Sequence, residues 1–139
     1  MTLPSQILPG LVGRAELTVA EEHTAPRVGS GKVHVLATPV MINLFEAAAL
    51  AACEHFLPAG YQSLGTLLNV RHIAATPVGL RVVALAEVVK VEGRTVMFRL
   101  EARDEKDLIG DGTHERVVVN VEKFDQRVQA KLADRGTET

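Results

Sequence analysis

One acid interrupts the most apolar stretch of this chain. From Thr38 to Phe56 the sequence reads Thr-Pro-Val-Met-Ile-Asn-Leu-Phe, then Glu46, then an alanine-rich run to Cys53. An ionised carboxylate in an apolar wrapper costs several kcal/mol unless it is paired, hydrogen-bonded or wet. Glu46 is therefore a residue on a wet edge, half of a capping box with Asn43 if a helix begins there, or a functional acid. Thr38, ahead of Pro39, suits a helix N-cap with proline at the first helical position. Backbone N–H groups at such a start favour developing negative charge, and an oxyanion is the guest they suit. Farther on, His72 lies in a strand-like run, where alternation sets it opposite Arg71 and Ile73; an imidazole titrates near neutral pH and moves protons either way. In the same run Gly65 marks a bulge or lets backbone approach a ligand closely.

Other reactive residue types read more plainly. Cys53 is the single cysteine, so it forms no internal disulfide and reads as a small buried hydrophobe. His23, His34, His55, His72 and His114 show neither H-x-x-x-H nor H-E-x-x-H spacing, so no metal site is expected. His55, at the end of the apolar run, complements a helix C-terminus.

These groups need a scaffold, and the composition bounds it. With 139 residues, 47% hydrophobic and 23% charged, the chain reads as one folded domain over residues 1–139, its core about 11–125 and its tail 126–139. A net charge of −2 provides no footprint for nucleic acid. Residues 1–9 show no basic start or long apolar run, and Glu46 breaks the best candidate for a membrane span, so a cytoplasmic protein without membrane contact is expected.

Alternation of Ala15, Leu17 and Val19 against Arg14, Glu16 and Thr18 predicts a half-buried strand over 14–21. A loop at 23–31 and a short strand at 33–36 follow, then a helix of some eighteen residues that Pro58 and Gly60 stop. That helix is apolar nearly all round and should be swallowed by a sheet. Four strands are expected after it, at 64–76, 80–91, 94–103 and 113–123, with a two-residue hairpin at Glu92-Gly93 and a turn through 104–112. Residues 124–134 suit a terminal helix, and 135–139 should fray. The expected class is α+β, one helix on a meandering antiparallel sheet.

In order and with matching gaps, Ala37-Thr38-Pro39, Glu46, Leu64-Gly65-Thr66, Val70-Arg71-His72, Pro77-Val78-Gly79-Leu80, Glu92-Gly93-Arg94 and Gly112-Thr113-His114-Glu115-Arg116 resemble the fluoroacetyl-CoA thioesterase family of hotdog-fold thioesterases, from about Val33 to Phe124. The resemblance implies a β-α-β4 hotdog, its antiparallel sheet wrapped around one long central helix. It also implies a homodimer with acyl-CoA sites at the subunit interface, and leaves open whether dimers stack into a higher homo-oligomer. The family's catalytic threonine, glutamate and histidine fall on Thr38, Glu46 and His72, its pocket glycine on Gly65 and its late arginine on Arg116. Its fluoroacetyl-handling member carries an aromatic lid, whereas residues 23–31 hold no phenylalanine, tyrosine or tryptophan, so fluoroacetate specificity is not carried over.

The implied activity is an acyl-CoA thioesterase that needs no cofactor, coenzyme A being part of the substrate. His72 would shuttle the proton to the CoA thiolate, Glu46 would orient it or activate water, and Thr38 would attack or position water. Thr38 and Glu46 stand about 12 Å and roughly 80° apart on a straight helix. The helix therefore starts later than Pro39, the site draws on two subunits, or the substrate spans the gap, and a subunit-boundary site is favoured. Met41, Phe45 and Leu68 are expected to wall a small pocket for a short or compact acyl group, with Arg71, Arg116 and Lys123 available for CoA phosphates. Two rivals remain: a hotdog hydratase or dehydratase, whose Asp is missing from residues 34–43, and a non-catalytic acyl-CoA binding module.

Overall fold

The alanine-rich run forms a helix because strong helix formers fill it and glycine packs against it. The computed structural model describes residues 2–135. Its elements are β1 (Val12–Thr18), α1 (Ala25–Val28), α2 (Thr38–Cys53), β2 (Tyr61–His72), β3 (Arg81–Glu92), β4 (Thr95–Arg103), β5 (Leu108–Asn120) and α3 (Val121–Asp134). A 3-10 turn, Glu54–Phe56, extends α2. At Gly13 a β-carbon would run into the Ala48 carbonyl and the Ala52 backbone, so the small residues of α2 and a glycine in β1 let helix and strand meet backbone to backbone.

The five strands form one antiparallel sheet in the order β1-β3-β4-β5-β2. On its inner face Val82, Ala84, Ala86 and Val88 of β3 and Val96, Phe98, Leu100 and Ala102 of β4 pack with Met41, Phe45, Ala48, Ala49 and Ala52 of α2. The strand-face alternation expected for β1 and β4 holds.

Several expectations are corrected. The sheet is a meander only from β3 to β5, because the link from His72 to Arg81 is too long for a tight hairpin and carries β2 past its sequence neighbour to pair with β5. No strand forms at 33–36. Its backbone bonds go to three separate segments, Val35 O accepting from Ala25, Leu36 N donating to Thr76 and Ala37 N to His23, with a lone Thr24–Leu36 bridge. The loop at 23–31 contains α1, for which Pro26 serves the start and Gly29, at φ 91°, the left-handed end.

Asp104 tightens the β4–β5 turn to four residues by accepting from the backbone of Lys106 and Asp107 (2.8 and 2.7 Å), which frees 108–112 to join β5. Glu92 pairs with Thr95, so the two-residue turn is Gly93-Arg94. α3 starts at Val121, because the Asn120 side chain caps it by accepting from Lys123 N (3.0 Å), so the helix takes in both the end of the expected core and its tail. Residues 136–139, expected to fray, lie outside the described residues.

The sheet covers only one side of α2. Asn43, Ala47, Leu50 and Ala51 stay exposed along the other. β2, at the sheet's edge, exposes Leu64, Leu67 and Leu68. No described helix is long and apolar enough to cross a membrane.

Candidate active site

Helix α2 begins one residue earlier than proline capping suggests. Ala37 is the N-cap, Thr38 is already helical, and no side chain caps the start. The Thr38 hydroxyl is thereby free of the backbone, and it shares a 2.7 Å hydrogen bond with His72 Nδ1 at the end of β2. The other ring nitrogen, His72 Nε2, is buried without a hydrogen-bond partner. Burial pushes the imidazole below its ordinary value of 6.5, against a backbone contact at Ala74 that raises it. A neutral ring beside a hydroxyl can accept that hydroxyl's proton or a water's.

Thr38 and His72 line a cavity of about 310 Å³ whose other walls are mostly apolar, with Ala25, Val33, Leu36 and Ala74 among them, while Ser30 and Lys32 are its other polar side chains. Residues 30–33 form one side of it.

Glu46 lies elsewhere in the single chain. Two turns farther along α2, its Oε2 accepts from Arg116 Nη1 at 3.3 Å, and about a third of its side chain stays exposed. Arg116 is buried and held on every side: Nε donates to Ser63 Oγ (2.8 Å), Nη2 to Ser63 O (3.0 Å), and Nη1 also reaches His114 Nε2 (3.2 Å). Ser63 is fixed in turn by Glu54, which accepts from its backbone N–H (2.9 Å) and its hydroxyl (2.8 Å).

His114 is fully buried, and its Nδ1 faces the Leu67 carbonyl at 2.8 Å. A carbonyl only accepts, so Nδ1 carries the hydrogen and Nε2 is left to accept from Arg116. Burial, first, pushes this imidazole below its ordinary value; the Leu67 contact opposes, the Arg116 charge lowers it further, and Glu46 and Glu115 raise it. The cluster therefore presents one partly exposed carboxylate on a buried cation that hydrogen-bonds through all three of its nitrogens.

Gly65 joins this second cluster. It pairs with Arg116 across the β2–β5 ladder, and the register slips between Gly65 and Leu67, so the glycine is both a bulge and a point of close approach. A β-carbon there would stand 2.7 Å from Glu46 Oε2 and 3.2 Å from His114 Cε1.

The expected residues thus divide into two groups, Thr38 with His72 and Glu46 with Gly65 and Arg116. No described hydrogen bond joins them. Phe45, expected beside the acyl group, is wholly buried in the core and lines none of the described cavities, so it packs the fold. Met41 is buried against Gly110, whereas Leu68 is exposed on the edge strand, so the three do not wall one pocket.

Of the three cations expected at phosphates, Arg71 is held by Asp111 through two bonds (2.9 and 2.8 Å) and Arg116 is spent inside the site. Lys123 stays available. Cys53 is buried beneath this cluster, and burial, with the Glu54 charge adding and Arg116 opposing, pushes its thiol up to about 11.

Sequence reasoning missed Ser63, His114 and Glu54. The signal was present in part: Ser63 and Gly65, and likewise His114 and Arg116, are two apart and so share a strand face. What hid it was the β2–β5 pairing, which joins segments some fifty residues apart.

The sequence profile of the FlK family, fluoroacetyl-CoA-specific thioesterases, matches residues 19–122. A fluoroacetyl-CoA thioesterase of Streptantibioticus cattleyicolor is 47% identical over 97 residues, which cover 70% of each chain. Among solved structures, one of the fluoroacetyl-CoA thioesterase FlK superposes with a TM-score of 0.85 at 38% identity, covering 89% of this chain and 96% of that one. A Thermus thermophilus member of the thioesterase superfamily gives 0.86 at 32%, covering 98% and 100%. The curled sheet with its helix is the hotdog fold of those neighbours.

Proposed function

The chain belongs to the FlK family of thioesterases and is an acyl-CoA thioesterase, a thioester hydrolase, and on that premise we propose that it cleaves a short or compact acyl-CoA to the free acid and coenzyme A at sites shared between the two subunits of a homodimer. The observation that carries this reading is the 2.7 Å hydrogen bond between Thr38 and His72 Nδ1 on the wall of a small, mostly apolar cavity, with the other ring nitrogen, Nε2, left without a partner.

His72 takes a proton from the attacking group, either a water or the Thr38 hydroxyl, and returns it to the departing CoA thiolate; where Thr38 attacks, a water then hydrolyses the acyl ester on its oxygen, giving its proton to His72, which returns it to the Thr38 oxygen. The first amides of α2 lie beside Thr38, where a thioester oxygen gathers charge. Glu46, held by Arg116, orients the reacting water or the imidazole. Water is the co-substrate, and no cofactor is needed. A cytoplasmic setting, where thiols stay reduced, goes with a coenzyme A product and the free thiol of Cys53.

The distance between the two groups supports sharing between subunits. α2 is continuous from Thr38 to Cys53, so a late helix start no longer explains the separation, which is about 12 Å along the axis. Glu46 and Gly65 border the free edge β2, whose exposed leucines and unpaired backbone suit a second copy better than water. A second copy seated there brings its Glu46 to the Thr38 and His72 of the first.

The cavity of about 310 Å³ favours a compact acyl group. Fluoroacetyl-CoA, named for the Streptantibioticus cattleyicolor relative, is not carried over, because no phenylalanine, tyrosine or tryptophan lines this cavity.

The test is release of free thiol from a panel of acyl-CoAs. Glu46→Ala and His72→Ala should each lower kcat about 100-fold or more with the fold unchanged. Turnover at the wild-type rate in either variant removes that residue from the mechanism.

A further inference from the structure

The largest described cavity lies away from both clusters. It encloses about 530 Å³ between the outer end of β5, the Gly93-Arg94 turn and α3. Three cations line it: Arg94 from the turn, and Lys123 and Arg127 from successive turns of α3. None of the three takes part in an ion pair among the described residues. No carboxylate lines the cavity either. Glu122 and Asp125 share the helix but form no part of its wall.

This arrangement goes against the rest of the chain. Acids outnumber bases overall, 17 to 15, and Arg14, Arg71, Lys90, Arg99 and Arg103 each lie within bonding distance of a carboxylate. Cations gathered without counter-charge repel one another, and an anion between them relieves that repulsion. The wall also offers a flat apolar surface, the Phe124 ring, over which the Arg127 guanidinium lies at 5.7 Å. Two elements of structure fix the rim: Arg94 O accepts from Val118 N (2.9 Å), and Asn120 caps α3.

A ligand that matches this wall carries several phosphate charges and a planar ring. Guanidinium and ammonium groups take phosphate oxygens, and an aromatic face takes a base. We propose that this cavity binds a phosphorylated adenine nucleotide, of the kind that forms the 3′-phospho-ADP head of coenzyme A. Whether that head belongs to the substrate or to a free nucleotide is a matter of source, not of binding chemistry. The substrate case deepens the thioesterase reading above and rests on it, while the binding chemistry itself does not.

The test uses the full chain and the double variant Arg94→Ala/Arg127→Ala, both side chains being exposed and remote from Thr38, Glu46 and His72. Calorimetry with 3′,5′-ADP should show binding to the wild type that weakens with salt and falls about tenfold or more in the double variant. In parallel, hydrolysis of acetyl-CoA is compared with hydrolysis of acetyl-pantetheine, which lacks the nucleotide.

A higher KM for acetyl-CoA, with acetyl-pantetheine unaffected, assigns the cavity to the substrate's own head. An unchanged KM for acetyl-CoA, with 3′,5′-ADP binding lost, assigns it to a free nucleotide. Failure of the wild type to bind 3′,5′-ADP, or equal binding by the variant, overturns the proposal. Absence of thioester hydrolysis with 3′,5′-ADP binding intact would undo the functional reading and leave the cavity's assignment standing.

Discussion

Gly65 and Glu46 are matched by size: a β-carbon on the first would stand 2.7 Å from Oε2 of the second. The obstructed atom is the tip of a flexible side chain, so Gly65→Ala should displace the carboxylate and leave the strand in place. We expect kcat to fall about tenfold or more, since small misplacements of reacting groups are costly, while the melting temperature moves little. Wild-type kcat in Gly65→Ala would show that the position of Glu46 does not matter to turnover.

Ser63 joins Glu54 to Arg116 and is nearly buried. Ser63→Ala removes the hydroxyl that accepts from Arg116 Nε and donates to Glu54, leaving a buried guanidinium N–H unpaired. Such a loss costs about 1–3 kcal/mol. Denaturant titration should find a stability decrease in that range, with reduced kcat because Arg116 no longer holds Glu46 in one place. Equal stability of variant and wild type would mean that water replaces the hydroxyl.

How much of this was legible in the sequence follows from which contacts are local. The long helix is written in its run of helix formers and its stop at Pro58 and Gly60, the faces of β1 and β4 in their alternation, and Gly65 was readable as a bulge or a close approach; it is both. Pro26 and Gly29 read as loop punctuation and in fact start and end a short helix, because a single turn has too few residues for a period to show. The link from β2 to β5 was invisible for a different reason. Gly65 meets Arg116 only after β2 has crossed past β3, and no local pattern records where an edge strand will pair. Thr38, Glu46, His72 and Gly65 stood out by residue type and local context, and the resemblance to a thioesterase family gave them their roles and added Arg116. Ser63, His114 and Glu54 needed the register.

Two histidines, His114 buried and His72 half-buried, contribute to the response to acid. The folded-state values of His72 and His114 lie below the ordinary 6.5, with burial as the first cause in each. The unfolded chain therefore binds protons that the folded one resists. Their contribution to stability is complete above pH 6.5 and is lost as the pH falls through the folded-state values. For turnover the neutral His72 ring is the active form. The acid limb of kcat/KM should thus have its midpoint below 6.5, and His72→Ala should abolish that limb. A midpoint at or above 6.5 would mean that a different group, or a charged imidazole, governs the rate.

The separation of Glu46 from the Thr38–His72 pair gives a test of shared sites that needs no structure of the assembly. Suppose each site takes its acid from one subunit and its hydroxyl and imidazole from the other. Glu46→Ala and His72→Ala homodimers then have two broken sites apiece. A mixed dimer has one site that lacks both groups and one that lacks neither. Refolding the two variants together at equal concentration makes about half of all dimers mixed, so about a quarter of wild-type activity should return. Each variant refolded alone should stay inactive. If mixing restores nothing while the mixed dimer is shown to form, both groups act within one subunit, and the acyl chain or a moved helix must close the gap of about 12 Å.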